Sequence, residues 1–226
     1  MSFESFHEIK IDSKLFASAH PLVTSGVKIG IGLFNRDSEV VGPNNKRVKV
    51  PEWTLILHST SYQAPARTVH GIYKAWDPNA DAKSIRNGDN WVWTLRDPQQ
   101  PEYQPDLCDP IGVIHITDIS WSHILLQAVI ERSFKAEKNG DNPGGVTVWS
   151  SSAWTIRVLY YIQERYGDCT GFRLPCSARR LHELVRERIE VLKVTKYRRG
   201  EIPVINLVDP EPCYQRRFKN TRATHM

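Results

Sequence analysis

The chain has 226 residues, of which 40% are apolar and 24% charged, with a net charge of +5. These fractions exclude the disordered and fibrous classes, and the length suits one domain with a sizeable core better than two small ones. No apolar run is long enough to span a bilayer, and MSFESFHEIKID lacks the apolar segment of a secretory signal, so a cytoplasmic protein without a membrane partner is expected.

Residues 20–35, with Gly26, Gly30 and Gly32, alternate loosely and predict an early strand that turns near Asn35. The glycines suit either a loop close to a ligand or bends and close strand packing, and packing is the commoner use. VVGPNNKRVKVPE reads as a loop rich in turn and basic residues. WTLILHST is a strand by its aromatic and branched content, ARTVHGIYKAW a second, WVWTLRD a third and IGVIHITDI a buried fourth.

From Asp118 the period lengthens. Trp121, Ile124, Leu125, Ala128, Val129 and Phe134 share one helical face, with Asp118 or Ser120 as cap. A second helix over about 152–166 carries Trp154, Val158, Tyr161 and Ile162, with Gly167 past its end. A third begins near Ser177 with Leu181, Leu184, Val185, Ile189 and Leu192, and INLV adds a late strand. A block of strands followed by a block of helices predicts an α+β domain, with a mostly antiparallel sheet (residues 20–117) packed by three helices rather than a Rossmann fold. Residues 1–200 form the expected domain and 201–226 a basic tail.

Cys108, Cys169, Cys176 and Cys213 contain no C-x-x-C pair, which argues against a zinc site or a disulfide framework. Reduced thiols, no metal and no cofactor are expected. From Ser177 onwards twelve Lys and Arg face six Asp and Glu, a net of +6, so the rest of the chain is close to neutral. That asymmetry suits a polyanionic partner, because neutralised phosphates release counterions. Arg186, Arg188 and Glu190 read as a solvated helix face, whereas KYRRG, with its Tyr among cations, reads as a binding patch.

The stretch VTVWSSSAWTIRVLYYIQE carries Ser150, Ser151 and Ser152 where a loop enters a helix. Serine caps such an end, and the same place stabilises negative charge on an attacking or developing oxyanion. A nucleophilic hydroxyl needs a base, for which His58 and Glu52 are the nearest candidates, with His70 and His115 behind them.

Residues 51–166 resemble a group of uncharacterised fungal proteins of circularly permuted papain-like type. The matching stretches are EWTLIL (52–57), TVHGIYKA (68–75), WVWTL (91–95), IGVIHI (111–116) and WSSSAWT (149–155). Glu52 stands where that group has His, and Ser151 where it has Cys. A second resemblance is to cyclodipeptide synthases, through GIGLFNR (30–36) and Tyr160-x-x-x-Glu164, with Gly32 at the position of the usual serine. Basic size and composition also resemble the fungal arginine-containing members of that activity. These resemblances imply an acyltransferase of secondary metabolism that takes two amino acids, one of them arginine, from aminoacyl-tRNAs and joins them as a diketopiperazine. Ser151 would accept the acyl group, with His58 or Glu52 moving protons and Tyr160 and Glu164 handling the attacking amine. Asp118 would read a guanidinium, and Arg179, Arg180, Lys196, Arg198 and Arg199 would hold tRNA. The alternatives are a catalytically inactive papain-like binding protein and a Ser or Cys hydrolase.

Overall fold

The computed structural model describes residues 26–34, 39–41, 47–49, 51–63, 67–77, 79, 81–83, 91–95, 110–136, 149–195, 197–198 and 200–208. The central strand of a five-stranded sheet is β1 (Val27–Phe34). It pairs antiparallel with β4 (Glu52–His58) on one side and β8 (Pro110–Ile119) on the other. Outside β4 lies antiparallel β5 (Thr68–His70), and outside β8 lies β9 (Val204–Asn206), which runs parallel to it. Two hairpins stand apart from this sheet, β2 (Glu39–Val41) with β3 (Arg47–Lys49), and β6 (Ile72–Trp76) with β7 (Trp91–Leu95). With α1 (His123–Ser133), α2 (Ser151–Thr170) and α3 (Ala178–Val194), the protein is an α+β fold with a mostly antiparallel sheet and three helices among the described residues.

Side chains alternate across a strand, and both faces of this sheet are covered. Val27, Ile29, Ile31 and Leu33 of β1 join Trp53, Leu55 and Leu57 of β4 in the larger core beneath the helices. Phe34, Ile56, Val69 and Val113 turn the other way and meet Tyr62 and Ile202. All of β4 is therefore buried. Gly30 and Gly32 answer for close packing. A Cβ at Gly30 would lie 2.7 Å from Val113 and 2.8 Å from the Tyr62 hydroxyl, and one at Gly32 would strike Ile56 and Thr54.

The strand β8 departs from regular alternation at one point. Ile29 faces Thr117 while Gly30 faces His115, so Ile116 is an extra residue, a bulge. That is why Ile114 and Ile119, an odd number of residues apart, both enter the larger core.

The third helix presents Leu181, Val185, Ile189 and Leu192 on one buried stripe, each burial contributing about 1.5–3 kcal/mol. In α2, Trp154, Val158, Leu159 and Ile162 are buried, and α1 docks through Trp121 on Tyr166 and Phe134 on Tyr161, at 4.9 and 5.0 Å between ring centroids.

Several sequence expectations change. The loop VVGPNNKRVKVPE contains the β2–β3 hairpin, and the strand expected over ARTVHGIYKAW divides at Gly71, where its halves pair with different partners. Asp118 lies inside β8 and does not cap α1. Ser122 does, accepting from Leu125 N at 3.5 Å, and Ile124, expected in the core, is 76% exposed. Helix α2 continues beyond Gly167 to Thr170 and ends on Gly171, whose φ of 70° suits glycine. The late strand expected at INLV is β9, and it joins the main sheet.

Candidate functional site

The three serines have three different surroundings. Ser150 is the N-cap of α2, its Oγ accepting from Ala153 N at 3.2 Å. Ser151 is buried, and its Oγ accepts the backbone N–H of Trp53 at 3.2 Å, which ties the helix start to β4. Thr155, one turn along, donates to Ser151 O at 2.9 Å. Ser152 is half-buried, with its Oγ 2.9 Å from Ser150 Oγ and 3.5 Å from His182 Nε2.

His182 comes from the first turns of α3 and stacks on the Trp53 ring. Burial lowers its pKa, with Arg186 acting the same way and Glu183 opposing, so the imidazole is neutral near pH 7 and able to take a proton. The first-turn N–H groups at the start of α2 have no acceptors within the helix and carry the positive end of its dipole. A hydroxyl, a neutral imidazole and a set of N–H donors are the parts that acyl transfer uses.

The other expected site residues are spread out. Glu52 is buried at the start of β4, next to Trp53, and therefore close to Ser151. His58 ends the same strand six residues away, about 20 Å at the usual rise per residue, so the structure does not bring it to Ser151. Its Nδ1 instead accepts from Thr60 N at 2.9 Å and Ser61 N at 2.8 Å. Tyr160 and Glu164 sit nine and thirteen residues beyond Ser151, on the opposite side of α2 at about 100° per residue. Tyr160 donates to Cys176 O, and burial, then Cys176, pushes its pKa up to about 12, while Glu164 is exposed. Asp118 pairs with Lys28 at 2.9 Å, at the His58 end of the sheet. His115 lies in β8, and His70, in β5, lines a small pocket together with Trp154 of α2.

Arg179 pairs with Glu183 at 3.4 Å, and Arg180 with Glu183 and Glu187 at 3.4 and 3.0 Å, all exposed. Arg198 is exposed, while Lys196 and Arg199 lie outside the described residues. Cys169 and Cys176 are free thiols, and Cys108 and Cys213 also lie outside the described residues.

Ser152 and His182 are the pair that sequence reasoning missed. Thirty residues separate them, and LHEL in a helix gives no sign of what its histidine meets. Among the described residues no group of three or more His, Cys, Asp or Glu is placed to hold a metal ion, and no helix is long and apolar enough to cross a membrane. No family model, curated protein or solved structure matches the chain.

Proposed function

We propose that the protein is a serine acyltransferase working at the start of α2, with aminoacyl-tRNA as donor and a cyclic dipeptide containing arginine as product. The observation that carries this reading is the approach of Ser152 Oγ to His182 Nε2 at 3.5 Å beside a helix N-terminus. Ser151, the acceptor expected from the sequence, has its oxygen committed to Trp53 N, so Ser152 takes the role.

Ser152 Oγ attacks the aminoacyl ester carbonyl while His182 Nε2 takes its proton, which then passes to the departing 3′ oxygen of the tRNA. The amine of the second aminoacyl group attacks the serine ester, forming a peptide bond and freeing Ser152. The remaining free amine closes the ring on the second ester and releases the second tRNA. Helix N–H groups stabilise the oxyanion at each addition. Arg179 and Arg186, three residues before and four after His182, share its face of α3 and suit the phosphates of an acceptor arm. The donor ester is already activated, so no cofactor is needed.

The test is expression in a bacterial host with mass spectrometry of the medium. Arginine-containing cyclic dipeptides are expected from the wild type and from Ser151→Ala, and none from Ser152→Ala. Folded wild-type protein without product overturns the reading.

A second reading is favoured by the contact of Ser151 with Trp53, beside Glu52. The two positions that the papain-like resemblance aligns with Cys and His are neighbours, which supports a permuted papain-like fold, yet they hold Ser and Glu and are buried. On this reading the chain is a binding protein of that fold, and it binds tRNA without turnover.

A further inference from the structure

At the end of the sheet away from the serines, Lys28, Thr60, Ser61, Tyr62, His115 and Asn206 line a cleft of about 310 Å³. That volume is near the lower end of small-molecule sites, about 300–1,000 Å³. Three local features build the cleft. The bulge at Ile116 brings His115 and Asp118 to one face, which residues three apart on an unbroken strand do not share, and His115 Nε2 lies 3.6 Å from Asp118 Oδ1. The bare backbone at Gly30 lets the Tyr62 hydroxyl reach His115 Nδ1 at 2.8 Å. His58, by holding Thr60 N and Ser61 N, shapes the turn that forms one wall.

The donors run in one direction. Burial, then Asp118, raises the Tyr62 pKa far above its ordinary value, so the phenol keeps its proton and is able to donate to Nδ1. Asp118, an acceptor, faces Nε2 of the same ring, which suits the tautomer with its proton on Nε2. Lys28 Nζ donates to both oxygens of the same carboxylate, at 3.1 and 2.9 Å.

Lys28 lines the cleft and its partner Asp118 stands next to it, so an ammonium and a carboxylate lie side by side there, 32% and 57% exposed. An exposed pair of this kind contributes about 0–1 kcal/mol, so exchanging partners costs little. A simple anion would meet Asp118 beside Lys28, and a simple cation the reverse. A ligand carrying both charges a few bonds apart satisfies both groups.

We infer that this cleft binds a free α-amino acid, its carboxylate on Lys28, its ammonium on Asp118, and its side chain beside Tyr62 and Asn206. The site lies at the far end of β1 and β4 from Ser152 and does not depend on acyl transfer there.

Calorimetric titration of the full chain with each proteinogenic amino acid, and with its N-acetyl and carboxamide forms, tests the site. At least one free amino acid is expected to bind, with each blocked form about tenfold weaker or worse. Lys28→Met and Asp118→Asn are expected to weaken binding by a similar factor, and Asn206→Leu, on the edge strand, to weaken it while circular dichroism stays unchanged. Failure of every free amino acid to bind folded wild-type protein overturns the inference, as does equal binding of the blocked forms.

Discussion

The indole of Trp53 stacks on the imidazole of His182, with ring centroids 5.1 Å apart and planes 26° from parallel. The contact joins the β4 strand to α3 and sets the direction in which His182 offers Nε2 to Ser152. On the proposed acyl-transfer reading, Trp53→Leu is expected to lower turnover by about tenfold or more, because a small misplacement of a base is costly. Trp53→Phe, which keeps a ring, is expected to retain most of it. Steady-state rates of product formation by the two variants check this.

Ser151 and Ser152 separate by what each loses. Ser151→Ala leaves the buried Trp53 N–H without its acceptor, at a cost of about 1–3 kcal/mol, whereas Ser152→Ala stays within about 0.5 kcal/mol of wild type. Urea denaturation measures both.

Gly30→Ala places a methyl group against Val113 and the Tyr62 hydroxyl. A loss of about 1–3 kcal/mol is expected, as for other overpacked sites, together with separation of Tyr62 from His115. The denaturation midpoint reports the first, and the NMR shift of the His115 ring the second.

His70 is buried, its Nε2 has no hydrogen-bond partner among the described residues, and burial, then His123, lowers its pKa from 6.5 to about 4. Between those values the unfolded chain binds a proton that the folded protein refuses. Stability is complete above pH 6.5 and falls as the pH drops towards 4, by about 3 kcal/mol from this residue at 1.36 kcal/mol per unit. The pKa values of His58, His115, His123 and His182 are lowered too and add to the same slope. The informative quantity is the difference between wild type and His70→Leu, which is expected to widen in favour of the variant between pH 7.5 and pH 4.5 in urea titrations.

Arg198 is exposed in the segment after α3. If it contacts a tRNA phosphate, Arg198→Ala reduces the slope of log affinity against log salt by about 1, without changing which tRNA is preferred. Filter binding across a salt series gives the slope, and an unchanged slope removes Arg198 from the interface.

Much of the architecture is legible in the residues. The alternation of Ile29, Ile31 and Leu33, the run WTLILH and the stripe Leu181, Val185, Ile189 and Leu192 each fix an element and its buried side. What was not legible depends on partners distant in sequence. Nothing in TVHGIYKAW marks Gly71 as the point where pairing passes from β4 to β7, and β2 and β3 are too short to show a period. In α1, HILLQAVI is apolar on too many sides for spacing alone to choose the face that turns inward. The serines were found as a group, but the division of labour among them follows from Trp53 and His182, which only the fold brings near.

The two margins of the main sheet are its shortest members. Strands of eight, seven and ten residues occupy the interior, and β5 and β9, at three residues each, stand outermost. An outer strand leaves one row of backbone groups open to a neighbour, and three residues give a second molecule very little template to extend. Among the described residues the long, apolar strands are thus enclosed between two short stoppers, one of which, β9, follows all three helices along the chain and so closes the sheet after they have been made.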